Sequence, residues 1–172
     1  MLTSIRQLLT AVVFAAASLA ATAQGAEVAS SNLAASEDES PILMLHRAGE
    51  RWSISREDIE QSPLYEVSLQ HFEGPQGRFA GVWLDDFLDA EGIDNAVTLR
   101  FVAHDDYTTF ITPDDRAAKR YMLATRLDGD PLTREEFGPT MLIIPEDADA
   151  VEAGTVSMTS WIWAIKDIYL QQ

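Results

Sequence analysis

Apolar and polar residues alternate in short blocks along most of this chain, a pattern that predicts strands far more often than helices. Ile42 to Leu45 and Arg51 to Ile54 predict two short strands around an Ala48-Gly49 turn. Ser55 stands before Asp58-Ile59 at capping-box spacing, which predicts a short helix that stops by Pro63. Tyr65 to Leu69 alternates as a half-buried strand, and Gly74-Pro75-Gln76-Gly77 is a loop before Phe79. The clearest helix follows, with Leu84, Phe87 and Leu88 at helical spacing, Asp85 and Asp86 in its first turn and Gly92 past its end. Val97 to Ala103 and Tyr107 to Ile111 alternate again on either side of the polar turn His104-Asp105-Asp106. Pro113-Asp114-Asp115 opens a brief helical turn that ends in Arg116, Lys119 and Arg120. Tyr121 to Leu127, Thr140 to Ile144 and Ile162 to Leu170 complete the strands, with Asp128-Gly129 as a turn and Pro145 as a stop. No internal repeat is visible, and the expectation is one α+β domain dominated by mixed β-sheet.

The ends of the pattern differ from its middle. Arg6 is the only charge before the apolar run Leu8 to Ala20, and Ala21-Thr22-Ala23 supplies small residues, so residues 1–23 predict a secretory signal peptide cleaved after Ala23 or Ala26. The run is shorter than the roughly 20 residues a spanning helix needs, which predicts a soluble periplasmic product with no membrane insertion. Residues 24–40 are mostly Ala, Ser, Asp and Glu, the composition of a disordered acidic leader, and the folded domain is expected over 41–172.

Charge then narrows the partners. The whole chain carries −16, and removing Arg6 makes the product more negative still. Nucleic acids and anionic lipid surfaces are therefore excluded as partners, because both need clustered Lys and Arg. The chain has no cysteine, which removes disulfides, thiolate metal ligands and cysteine nucleophiles together. No Ser/His/Asp triad, phosphate-binding glycine loop or acid–base pair stands out, so no catalytic residue is assigned.

Several words in a fixed order carry a resemblance. They are Phe79-Ala80-Gly81-Val82-Trp83-Leu84, the turn Asp105 to Tyr107, Leu123-Ala124 leading to Asp128-Gly129-Asp130-Pro131-Leu132, Gly138-Pro139 with Leu142-Ile143-Ile144-Pro145, and Trp163-Ala164-Ile165-Lys166-Asp167-Ile168. In that order they resemble the molybdopterin-binding domain of the sulfite oxidase family, over nearly all of 41–172. That family's enzymes hold molybdenum through a cysteine thiolate upstream of the Phe-x-Gly word. The corresponding region here, Val67 to Phe72, offers Ser68 and His71, and neither replaces a soft thiolate. The family's Asp-Gly-Tyr turn reads Asp105-Asp106-Tyr107, which implies a left-handed residue at Asp106.

The chain is more similar to a cysteine-less branch: small periplasmic proteins that bind a free reduced pterin and report it to a membrane-bound cyclic-di-GMP enzyme. The resemblance implies a non-enzymatic sensor whose ligand is a reduced, unconjugated pterin and whose partner is the periplasmic domain of a membrane signalling protein. The alternative is a molybdopterin-dependent oxidoreductase subunit that keeps the cofactor without a cysteine ligand. A pterin needs an aromatic plate and a polar edge. Trp161 and Trp163, two apart on a predicted strand, would project on one face, and either could be the plate. His104, Asp105, Asp106 and Tyr107 gather polar groups in one turn, Pro139 brings backbone groups nearby, and Glu146 offers a carboxylate for the ligand's donor edge. His and carboxylates so close in sequence seldom face one ion, so no metal is expected. Arg116, Lys119 and Arg120 have two readings: contact with a ligand tail or a partner's acidic surface, and a solvated helix end.

Overall fold

The computed structural model describes residues 25–171, and the expected signal peptide lies outside the described residues. Two sheets enclose one core; β2, β4 and β6 alternate buried with more exposed residues, while β8 and β10 in the first sheet are buried almost throughout. The first sheet contains β1 (Val28–Ser30), β4 (Tyr65–Gln70), β5 (Gln76–Trp83), β8 (Met122–Leu127) and β10 (Met141–Ile143) in that spatial order, with β9 (Asp130–Pro131) paired on β8. The second runs β3 (Glu50–Ser55), β2 (Pro41–Arg47), β11 (Ile165–Gln171), β6 (Thr98–Ala103) and β7 (Thr108–Ile111). Every pairing is antiparallel except β2 with β11. The α+β, sheet-dominated architecture expected from the alternation is the one observed.

Local chemistry accounts for the helix starts. Ser55 caps α1 (Arg56–Glu60): its Oγ accepts the Asp58 N–H at 3.0 Å, and the Asp58 carboxylate accepts the Ser55 N–H at 2.8 Å. Thr112 and Asp115 repeat that exchange at α3 (Pro113–Ala118), where Pro113 fills a first-turn position that needs no N–H partner. Helix α2 (Leu84–Ala90) has no side-chain cap; Asp85 and Asp86 in its first turn complement the helix dipole, and Leu84, Phe87 and Leu88 face the core. Within that core Phe79, Phe87, Phe101 and Trp161 are the largest fully enclosed side chains. Gly81 shows why the Phe79 word contains a glycine: a Cβ there would lie 2.2 Å from Leu123 O, where β5 crosses β8 at a register shift.

The structure departs from expectation in three places. Residues expected to form a disordered leader are held against the domain. Strand β1 pairs with β4, Ser36 donates its N–H to Glu60 at 2.7 Å, Arg126 reaches Ala34 O at 3.0 Å, and Arg56 pairs with Asp38 at 2.7 Å. Composition reports only how much apolar surface a segment can bury; here backbone groups and polar side chains find partners instead. The last strand begins at Ile165, because Ala164 adopts φ 49° and breaks the extended run. After β10 the chain forms a single-turn 3₁₀ helix, Pro145–Asp147, and then α4 (Ala148–Glu152), a helical stretch that the pattern beyond the Pro145 stop did not predict. No helix among the described residues is long and apolar enough to cross a membrane.

Candidate functional site

The turn between β6 and β7 closes through local hydrogen bonds: Ala103 N–H donates to Tyr107 O at 2.9 Å, and Tyr107 N–H to the Asp105 carboxylate at 3.0 Å. Asp106 takes φ 67°, the left-handed conformation expected of the residue standing where glycine is usual. Three long-range contacts fix the turn against the chain before β11 and the first residues of that strand. His104 N–H donates to Ala164 O at 2.9 Å, Tyr107 Oη–H to Thr159 O at 3.0 Å, and Lys166 lies 3.3 Å from Asp106. Arg134 Nη2 is 2.8 Å from His104 Nε2; since arginine can only donate, Nε2 accepts and the neutral ring carries its proton on Nδ1. Partial desolvation, then the charges of Arg134 and Lys166, hold the His104 pKa below its ordinary 6.5, while Asp167 opposes them.

A second loop meets the same point. Phe137 takes φ 68°, and its carbonyl accepts the Ala164 N–H at 2.8 Å. Gly138 lies so close to the preceding chain that a Cβ would come 2.3 Å from Leu132 O, and a cis bond joins it to Pro139. Thr140 O then accepts the Ile165 N–H at 3.1 Å, and Leu142 donates to Ile162 O at 2.7 Å. Residues 137–142 and 161–165 are thereby tied together beside the 104–107 turn.

His71, just past β4, is at the centre of the rings these loops present. It is 1% exposed. Phe72 stacks on it at 4.5 Å, and Phe137, Trp161 and Trp163 meet it edge-on at 5.6, 5.8 and 5.5 Å. Phe137 and Trp163 stack at 5.3 Å. Glu73 N–H donates to His71 Nδ1 at 3.3 Å, which puts the proton of the neutral ring on Nε2. Burial pushes the His71 pKa down from 6.5 to about 4. Two buried polar atoms in this region have no hydrogen-bond partner, Trp161 Nε1 and Thr140 Oγ1. Trp163 packs on His71, Phe72 and Phe137 and is only half-buried.

The structure thus brings Trp161, Trp163, His104, Asp105, Asp106, Tyr107 and Pro139 into one neighbourhood. The two tryptophans lie in the loop before β11 rather than on a strand; Trp161 is enclosed in the core and Trp163 is the more open ring. Glu146 stands apart: it is exposed on the single-turn helix, with its backbone against Gly25, and no hydrogen bond among the described residues joins it to the rings. The basic group does not act as a cluster. Arg116 is buried and bonds Asn95 O, Val97 O and Asp85; Lys119 pairs with Asp147; Arg120 lies 3.8 Å over the Trp83 ring. Arg116 is therefore a structural residue and offers no surface to a partner. His71, Phe72, Phe137, Arg134 and Lys166 were missing from the expected site. Of these, His71 and Phe72 lie in the region where the family places its thiolate and Lys166 in the Trp163 to Ile168 word, while Phe137 and Arg134 had left no signal.

Among the described residues no group of three or more His, Asp or Glu side chains is arranged to hold a metal ion. What the neighbourhood offers chemically is flat: stacked rings, two unpartnered polar atoms among them, and a rim of carboxylates and cations at Asp105, Asp106, Arg134 and Lys166.

Residues 20–162 match the family model described as the oxidoreductase molybdopterin binding domain. Among solved structures, the sulfane dehydrogenase SoxCD from Paracoccus pantotrophus superposes with a TM-score of 0.53 at 15% identity. The match covers 75% of this chain and 37% of that one, a likeness of fold. No curated protein matches the sequence.

Proposed function

We propose, from the premise that this chain belongs to the oxidoreductase molybdopterin-binding domain family, that it is a binding member of that family rather than a redox enzyme. It is exported to the periplasm, holds a reduced, unconjugated pterin, and passes the occupancy of that site by contact to the periplasmic domain of a membrane-bound cyclic-di-GMP enzyme. The observation that carries the reading is the ring cluster around His71. It stands in the region the resemblance assigns to the metal-binding thiolate, and it has an aromatic character suited to a flat heterocycle.

The two halves of the family's cofactor fit this site differently. A pterin ring finds Trp163 as a half-open plate, and its amino, N–H and carbonyl edge finds the Asp105 and Asp106 carboxylates and the Arg134 and Lys166 donors at the rim. Trp161 Nε1 and Thr140 Oγ1, buried without partners, supply a hydrogen-bond demand that a polar ring or a water could meet. The metal does not fit. The chain has no cysteine, and the nitrogen lone pair of His71 is engaged by the Glu73 N–H in a ring-packed, 1% exposed position. No step is therefore assigned to molybdenum; the residues bind, orient and exclude water.

The test is chemical analysis of protein purified from its native host. A fluorescent pterin released on denaturation, without stoichiometric molybdenum and lost in Trp163→Ala, is the expected result. Stoichiometric molybdenum would instead favour a molybdopterin-dependent oxidoreductase, the reading closest to the family's description.

A further inference from the structure

The second sheet has one face in the core and one turned outward, and the outward residues form rows across all five strands. Cross-strand register aligns Arg51, His46, Tyr169, Arg100 and Phe110, one from each strand. They stack along the row: His46 lies 4.2 Å from Tyr169 at 14°, and the Arg100 guanidinium sits 3.9 Å over the other face of that ring. Asp167, one row over, lies 2.7 Å from His46 Nε2. Phe110 ends the row 52% exposed. Helices α2 and α4 pack on strands of the first sheet, β5 and β4, and α1 lies between β3 and β5. At the Arg51 end a hollow of about 300 Å³ is lined by His46, Arg47, Glu50, Arg51, Tyr169 and the Ala48-Gly49 turn, two cations against one carboxylate.

The row carries two arginines that have no carboxylate partner among the described residues. The chain has 28 acidic residues against 12 basic ones, so an arginine has no shortage of carboxylates to pair with. Arg56, Arg78, Arg116, Lys119, Arg126 and Lys166 each pair with one. Five arginines make no ion pair among the described residues, Arg47, Arg51, Arg100, Arg120 and Arg134; Arg51 and Arg100 share this row, and Arg100 Nε is buried without any hydrogen-bond partner. Two uncompensated arginines flanking a Tyr–His stack, with an exposed phenylalanine at the end, have the arginine and aromatic composition on which protein interfaces concentrate their binding energy.

We propose that this outward face docks an acidic protein segment lying across the strands, with carboxylates against Arg51 and Arg100 and apolar contact over Tyr169 and Phe110. Three strand spacings separate the two arginines, so the matching carboxylates stand about 14 Å apart. A protein segment is favoured over an anionic bilayer because an extended surface meets the whole negative charge of the molecule, whereas a segment meets only the local row. The inference makes no use of the ring cluster and stands apart from pterin binding.

The test is an NMR titration of isotope-labelled protein with a Glu-rich helical peptide, the same peptide with Gln for Glu, and phosphatidylglycerol vesicles. The expected result is shifts confined to β3, β2, β11, β6 and β7 with the Glu peptide only, and at least about tenfold weaker binding in Arg51→Gln/Arg100→Gln. Arg51→Gln alone, at the exposed hairpin, gives an intermediate loss should the double variant fail to fold. Absence of shifts, shifts on other elements, or binding untouched by Arg51→Gln overturns the proposal. So does vesicle binding without peptide binding, or self-association of the unmixed protein that Arg51→Gln abolishes, which would assign the face to a bilayer or to a second copy.

Discussion

Lowering the pH should destabilise this protein through His71 before most of its carboxylates titrate. In the folded chain the ring stays neutral until pH falls to about 4, whereas in the unfolded chain it takes a proton near 6.5. The stability contributed by the neutral ring is therefore complete above about pH 6.5 and is lost as pH falls toward 4, at about 1.4 kcal/mol per pH unit. By pH 5 the loss is about 2 kcal/mol, and the full window amounts to roughly 3 kcal/mol. His71→Phe keeps an aromatic ring in the cluster but removes both the titration and the acceptor for Glu73 N–H, a hydrogen bond worth about 1 kcal/mol. The variant should thus be the less stable protein at pH 7 and the more stable one at pH 5, with the order reversing between about pH 5 and 6. His104, also depressed, titrates in both proteins and cancels in the comparison. Urea unfolding at the two pH values reads the reversal, and NMR of the His71 ring reads its titration directly. Two unfolding curves that weaken in parallel as pH falls, or a His71 ring titrating near 6.5, would refute the reasoning.

Three further substitutions probe the frame around the site. Glu60 is enclosed and accepts from Thr125, Arg126 and the Ser36 N–H, so Glu60→Gln should cost about 3–5 kcal/mol by leaving Arg126 uncompensated; a thermal melt lowered by less than about 5 °C would contradict this. The same variant should speed amide exchange over residues 31–38, which Glu60 and Arg126 hold in place. Gly81→Ala would drive a Cβ to 2.2 Å from Leu123 O, and parting β5 from β8 should cost at least about 1–3 kcal/mol in denaturant unfolding. Thr140→Val removes a buried hydroxyl that has no partner, so ligand-free protein should be unchanged or up to about 1 kcal/mol more stable; a clear loss of stability would mean that the hydroxyl is engaged.

Features written in adjacent residues were legible in the sequence. The Ala48-Gly49 hairpin and the helix starts at Ser55 and Pro113 each depend on a few neighbouring side chains and were found where the pattern put them, and Asp106 is left-handed as the resemblance implied. The resemblance added the order of elements and drew attention to residues 67–72. The aromatic centre was not legible, because it is assembled from three loops: His71 and Phe72 come from one, Phe137 from another and the tryptophans from a third. Trp161 and Trp163 were placed on one strand face because a run of apolar residues cannot reveal that Ala164 turns left-handed. Arg116, Lys119 and Arg120 looked like one basic patch for a related reason. Closeness in sequence is not a common direction, and here α3 ends between them, sending Arg116 inward and Lys119 to Asp147. The leader was misjudged because its anchors, Glu60, Arg56 and Arg126, lie far along the chain.

Strand β11 enters the second sheet between β2 and β6, yet it comes after every other described element in the chain. Until residues 165–171 have been synthesised, β3 with β2 and β6 with β7 are two separate hairpins, each with an open inner edge and nothing to join them. The sheet that carries the Arg51 to Phe110 row cannot form progressively as the polypeptide emerges. It closes in one late event when its middle piece arrives, and a ribosome-bound chain stopped at residue 164 would expose two backbone edges waiting for the same strand.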